Sequence, residues 1–86
     1  MKLIKEYAWD DVTTLEHEDF FPEINEWAYN NNLVVGGWLV FPVGTKFTEV
    51  TSDNYYKFYN VTLPNGNSFT EFPISYMLMD EFEACI

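Results

Sequence analysis

The first clear periodicity along the chain lies at residues 20 to 28. At about 100° per residue, Phe20, Phe21, Ile24, Trp27 and Ala28 fall within one arc about 120° wide, the apolar stripe of a helix that packs on a core. Pro22 is tolerated only in the first turn of a helix, so the helix is expected to begin near Asp19, a side chain suited to the N-cap. Asn30, Asn31 and Asn32 end it, because asparagine is among the few residues at ease in the left-handed conformation that closes helices. Ahead of it, Leu3, Ile4, Tyr7, Ala8 and Trp9 form an apolar opening segment whose spacing selects neither helix nor strand.

From Leu33 onward the signals become those of strands. Leu33 to Phe41 is a β-rich run interrupted by Gly36-Gly37, which predicts a bulge or a sharp bend. Pro42-Val43-Gly44 reads as a turn, Thr45 to Thr51 as a second strand, and Asn54 to Leu63 as a third. Asn65-Gly66 is the strongest turn dipeptide of the chain and predicts a two-residue hairpin loop. That register sets Leu63 opposite Ser68, Val61 opposite Thr70 and Tyr59 opposite Phe72. Phe58, Asn60, Thr62, Phe69 and Glu71 then share the more polar face, expected to look outward, and Glu81 to Ile86 offers a last short strand. The sum is an α+β chain: one N-terminal helix packed on a small antiparallel sheet of four to five strands. At 86 residues it fits a single domain over 1–86, with a helical head at 1–32 and a β-meander at 33–86.

Phe72-Pro73-Ile74-Ser75-Tyr76-Met77 resembles the close of an SH3-like barrel, where a hairpin strand ends on a Pro-x-x-Tyr turn, often a short 3₁₀ segment, before the final strand. The Asn65-Gly66 hairpin falls in the matching place, and the resemblance covers roughly residues 54–80. It implies a small barrel topology. The family's peptide-binding signatures, an Ala-Leu-Tyr-Asp-Tyr-like stretch and a tryptophan pair after the second strand, are missing, so it implies no proline-rich ligand.

Charge changes this picture more than any motif does. Fourteen acidic side chains stand against four lysines and no arginine, a formal net charge of -10. Such an excess opposes the compact state through self-repulsion. Acidic chains that are poor in apolar residues stay disordered, but here the hydrophobic fraction is 48% and the aromatic fraction 20%, enough to build a core. The excess is also uneven. Residues 1–32 carry Glu6, Asp10, Asp11, Glu16, Glu18, Asp19, Glu23 and Glu26 against Lys2 and Lys5, and the tail adds Asp80, Glu81 and Glu83, while the strand region is almost neutral.

The same composition narrows the chemistry. Four lysines cannot neutralise enough phosphates for direct nucleic-acid binding, and anionic lipid headgroups would repel the chain. Neither a signal-peptide-like apolar region nor a run of about 20 apolar residues is present, so a cytoplasmic location is expected, that of a host cell if the chain is viral. Asn60-Val61-Thr62 matches a glycosylation sequon but reads as strand. Glu16-His17-Glu18-Asp19 is the one cluster resembling a metal or acid–base site, yet a single His and a single Cys, 68 positions apart, do not supply a zinc set. Cys85, Ser52, Ser68 and Ser75 lack the neighbours that activate nucleophiles, the serines being expected in turns. No catalytic residue, cofactor or metal is expected.

The carboxylates remain as the functional signal. Asp19, Glu23 and Glu26 follow 4 and 3 spacing on one helix edge, which Glu16 joins only if the helix starts before Pro22. Asp10, Asp11, Asp80, Glu81 and Glu83 would have to extend that edge to make a continuous anionic face. These nine residues form the expected partner-binding set. The reading is a non-enzymatic inhibitor, of the kind viruses encode, whose anionic surface occupies the basic groove of a nucleic-acid-binding protein as a DNA mimic does. The alternative is an interaction or assembly module that uses exposed aromatics, its charge serving solubility. A symmetric homodimer would lengthen the anionic face, though nothing in the chain requires one.

Overall fold

The computed structural model describes residues 1–11 and 22–86, with Asp10 and Asp11 described through their backbone alone. The expected helix start at Asp19 and the stripe positions Phe20 and Phe21 lie outside these residues. The opening apolar segment is a strand, β1 (Tyr7–Asp11), with Tyr7 and Trp9 buried. Helix α1 (Pro22–Asn30) follows, with proline at its first position, where the missing N–H costs nothing. Ile24 and Ala28 are buried and Trp27 is half-buried, as the stripe requires. Asn32 takes φ 57°, and the N–H groups of Asn32 and Leu33 donate to the carbonyls of Tyr29 and Ala28 at 3.2 and 2.9 Å. These are the paired bonds of a Schellman close, as expected from the asparagine run.

The single helix on a four- to five-stranded sheet is replaced by two short helices and two three-stranded antiparallel sheets. In the first sheet β3 (Trp38–Phe41) lies between β1 and β2 (Val34–Val35). Gly36 and Gly37 have φ 57° and 85°, so the expected sharp bend is a two-residue turn with both central residues left-handed. The second sheet orders β4 (Lys46–Ser52), β5 (Tyr56–Thr62) and β6 (Ser68–Ser75).

The β5–β6 loop holds three residues rather than two. A two-residue Asn-Gly turn would need Pro64 to donate an N–H to Asn67, and proline has none. The Leu63 N–H takes the Asn67 carbonyl instead, at 2.8 Å, and Gly66, at φ 90°, donates to the Leu63 carbonyl at 2.9 Å. The pairing below it is therefore one residue off the expected register: Thr62 faces Ser68, and Val61 faces Phe69 rather than Thr70. A bulge at Thr70–Glu71 then restores the expected Tyr59–Phe72 pair. Glu71 carries it at φ 56°, its N–H donating to Asn60 Oδ1 at 3.3 Å. Because of the bulge, Phe69 and Phe72, three apart, both meet the interior with rings 5.8 Å apart, so Phe69 does not look outward as expected.

The expected last strand at Glu81–Ile86 is also absent. The 3₁₀ turn Tyr76–Leu78 follows β6, as the barrel resemblance implies, with Ser75 Oγ accepting the Met77 N–H at 3.2 Å. What comes next is a helix, α2 (Met79–Glu83), whose buried residues Met79 and Phe82 are three apart, a helical rather than an alternating spacing. The segment at residues 1–3 runs beside the start of β4, with Leu3 donating to the Thr45 carbonyl at 2.9 Å and Phe47 to that of Met1 at 2.7 Å. The Ile4 N–H then meets the Cys85 carbonyl at 2.7 Å. Among the described residues no helix is long and apolar enough to cross a membrane.

One core unites these parts. Phe41 touches Tyr7, Trp27, Phe47 and Phe72 at centroid distances of 6.4, 6.3, 5.2 and 5.1 Å. Trp9 of the first sheet donates its Nε1–H to the Pro73 carbonyl of the second at 2.9 Å. Phe41→Ala should cost about 3–5 kcal/mol in urea unfolding, a large part of the roughly 5–15 kcal/mol typical of a domain. Glu71→Gly should raise the urea midpoint, since relief of about 1 kcal/mol of left-handed strain exceeds the entropy glycine adds to the unfolded chain. Glu71→Val should lower it.

Candidate functional site

The two helices decide which carboxylates meet solvent. On α1, Ile24 and Ala28 face the core, leaving Glu23 and Glu26 exposed on the same edge, as their spacing requires. Glu23 lies in the first turn, where the helix dipole favours a negative charge. On α2, burial of Met79 and Phe82 leaves Asp80, Glu81 and Glu83 exposed. Asp10 and Asp11 sit at the end of β1, in register with Leu39 and Trp38. Glu16 and Asp19 lie outside the described residues, as does the whole Glu16–Asp19 cluster.

These groups form two described sets rather than one stripe. The ring path from α1 to α2 runs from Trp27 to Phe41 at 6.3 Å, Phe41 to Phe47 at 5.2 Å and Phe47 to Phe82 at 4.9 Å. The aromatic core thus stands between the two helices. Neither set is neutralised among the described residues. Among the described residues the ion pair is Lys57 to Glu49 at 3.6 Å, an exposed contact worth little in water. Lys2 bridges Lys46 across the strands, and the backbone of Lys5 is held at Cys85. No lysine therefore pairs with a described carboxylate of α1 or α2.

The other candidates are placed without gaining chemistry. Cys85 is half-buried, with Sγ 3.4 Å from the Glu81 carbonyl and 3.6 Å from that of Glu6, a thiol held against acceptors rather than cations. Ser52, Ser68 and Ser75 lie at strand ends rather than in turns. Among the described residues no group of three or more His, Cys, Asp or Glu side chains could hold a metal ion. The run Tyr55, Tyr56, Phe58 and Tyr59 makes no shared stacking platform, since Tyr59 is buried, Tyr56 and Phe58 are half-buried and Tyr55 is exposed.

Two features were beyond sequence reasoning. Tyr55 and Met77 are 72% and 92% exposed, and the Tyr76 N–H donates to the Tyr55 carbonyl at 3.1 Å, so a sheet end and a 3₁₀ turn join into one apolar patch. Asp53 Oδ1 shapes it by accepting the N–H groups of Tyr55 and Tyr56 at 2.7 and 2.8 Å. A groove of about 320 Å³ also opens between the start of α1 and β6, with Glu23 and Glu71 both on its lining. The only sequence signal for the patch is a methionine outside every apolar stripe. The groove has none, because it depends on the bulge.

Comparison of the chain with protein-family models, curated proteins and solved structures gives no match.

Among the described titratable groups, Tyr59 is displaced by its surroundings. Burial raises its phenol pKa, and the charges of Glu49 and Glu83 and the neighbouring Tyr76 add to the effect. Its hydroxyl meets Met79 Sδ at 3.8 Å, a weak contact. The folded chain keeps this proton at a pH where the unfolded chain has released it, so stability falls as pH rises above the ordinary tyrosine value of about 10. Tyr59→Phe should flatten that alkaline decline relative to the native chain, read as urea midpoints between roughly pH 9 and 11.

Proposed function

We propose that the chain is a non-enzymatic acidic binding protein, a virus-type inhibitor that covers a basic, nucleic-acid-binding surface of a target protein. The observation that carries this reading is that Glu23 and Glu26 on α1, and Asp80, Glu81 and Glu83 on α2, are exposed and free of ion pairs among the described residues. Folding draws no ion-pair energy from them, whereas a cationic partner would neutralise them and gain steering over a Debye length of about 8 Å at physiological salt. With the core between the helices, the target that suits both sets is a cleft with basic walls. A flat basic surface would meet one set. DNA mimicry in this form is discontinuous, two short anionic patches instead of a phosphate-like row.

A second reading is favoured by the Tyr55–Tyr76–Met77 patch. A half-exposed Tyr76 between two more exposed apolar side chains is the kind of surface an interaction or assembly module presents, to another protein or to a second copy. In that case the charge serves solubility.

Salt and charge reversal separate the two. With the chain as bait in lysate of its source, a partner that is rich in arginine and lysine and released between low and high salt supports the first reading. Glu23→Lys with Glu26→Lys, and separately Asp80→Lys with Glu81→Lys, should each weaken that capture roughly tenfold or more, as expected where like charges replace opposite ones. Capture that ignores salt and both charge reversals but is lost in Tyr55→Ala with Met77→Ala would establish the second reading instead.

A further inference from the structure

We infer that the groove between α1 and β6 receives an arginine side chain of the basic partner, an inference that rests on the first reading above. The lining is mixed, and its apolar part comes from the half-buried Phe58 and Phe69 and the prolines Pro22 and Pro73. The lining also carries the exposed Glu23 and Glu71, neither of which has an ion pair among the described residues, and no lysine is part of it. A lining that combines aromatic rings and prolines with two carboxylates is the complement of a side chain that is aliphatic along its stem and cationic at its end. Arginine suits it better than lysine, because a planar guanidinium stacks on phenyl faces and presents paired N–H donors to a carboxylate. A volume of about 320 Å³ leaves room for such a side chain.

The competing electrostatic effect is the start of α1, whose free N–H groups carry roughly half a positive charge and would favour an anion. Two full carboxylate charges outweigh it, one of them in that same first turn. Two other grooves do not offer this combination. The one bounded by Val35, Val43 and Leu63 is larger, at about 520 Å³, but has Glu6 as its only charged residue. The cleft at Lys2 and Lys46 has the opposite sign.

The test uses the intact chain, labelled with ¹⁵N, at low salt. A blocked Gly-Arg-Gly peptide is titrated beside its citrulline, lysine and phosphoserine counterparts, and amide shifts are followed. The arginine peptide should move Phe69, Glu71 and the first turn of α1. Its Kd should rise roughly three- to tenfold in Glu71→Gln, similarly in Glu23→Gln and in Phe58→Ala, with the remaining spectrum unchanged. The lysine peptide should bind more weakly and the citrulline peptide should cause no saturable shift. An equal response to citrulline, indifference to Glu71→Gln, or preference for phosphoserine would overturn the inference. Salt-sensitive capture of a basic partner that persists after such a result would leave the broader function standing, whereas loss of that capture would remove both.

Discussion

Two three-stranded sheets, each too small to stand alone, are held by rings that neither sheet encloses by itself. Phe41 from the first sheet lies against Phe47 and Phe72 from the second, at 5.2 and 5.1 Å and nearly at right angles, while Trp9 anchors its indole on the Pro73 carbonyl. Edge-to-face pairs of this kind contribute about 0.5–1.5 kcal/mol each beyond their area. Repulsion among exposed carboxylates is spread over many screened pairs, each about 1 kcal/mol or less in water even at ~4 Å. The interior can therefore hold a chain of charge -10 together, provided the charge stays outside the ring cluster. Both helices satisfy this condition, burying one apolar edge and turning their carboxylates to solvent.

Backbone irregularities are how so many rings converge in so short a chain. A regular strand alternates, so Phe69 and Phe72 would point to opposite faces. The extra residue at Thr70–Glu71 brings them together at the expense of a non-glycine residue in the left-handed region. The same distortion lays Glu71 along the groove that also holds Glu23. Core packing and the placement of a surface charge thus share one local cause, the bulge at Thr70–Glu71.

Elements fixed by local chemistry were legible in the sequence. The asparagine close of α1, the Gly36-Gly37 bend and the spans of β4 and β5 follow from residue type and spacing, whereas the expected Tyr59–Phe72 pair is met only because the bulge offsets the shifted loop. The failures came where a missing or a distant group decided. Pro64 lacks the N–H that a two-residue turn would use, and this shifted the loop. Phe82 packs against Tyr7, Phe47 and Tyr59, and only a helical spacing buries Met79 beside it, so the tail forms α2 rather than a strand. Splitting the strands into two sheets depends on the pairing of β1 with β3, a contact between residues some thirty apart that no local pattern encodes. For the carboxylates, exposure on α1 was readable from periodicity, but exposure on α2 was not, because the tail was expected as a strand.

The meeting of residue 4 with residue 85 has a kinetic side. Ile4, Trp9 and Lys2 find their partners at Cys85, Pro73 and Lys46, so much of the native bonding joins positions far apart along the chain. Closing such loops costs entropy before the contacts give anything back, and folding slows as the average separation grows. The hairpin of β5 and β6 is local and can form early. The first sheet and the seam between residues 1–4 and the tail must wait for it, because each joins positions far apart along the chain.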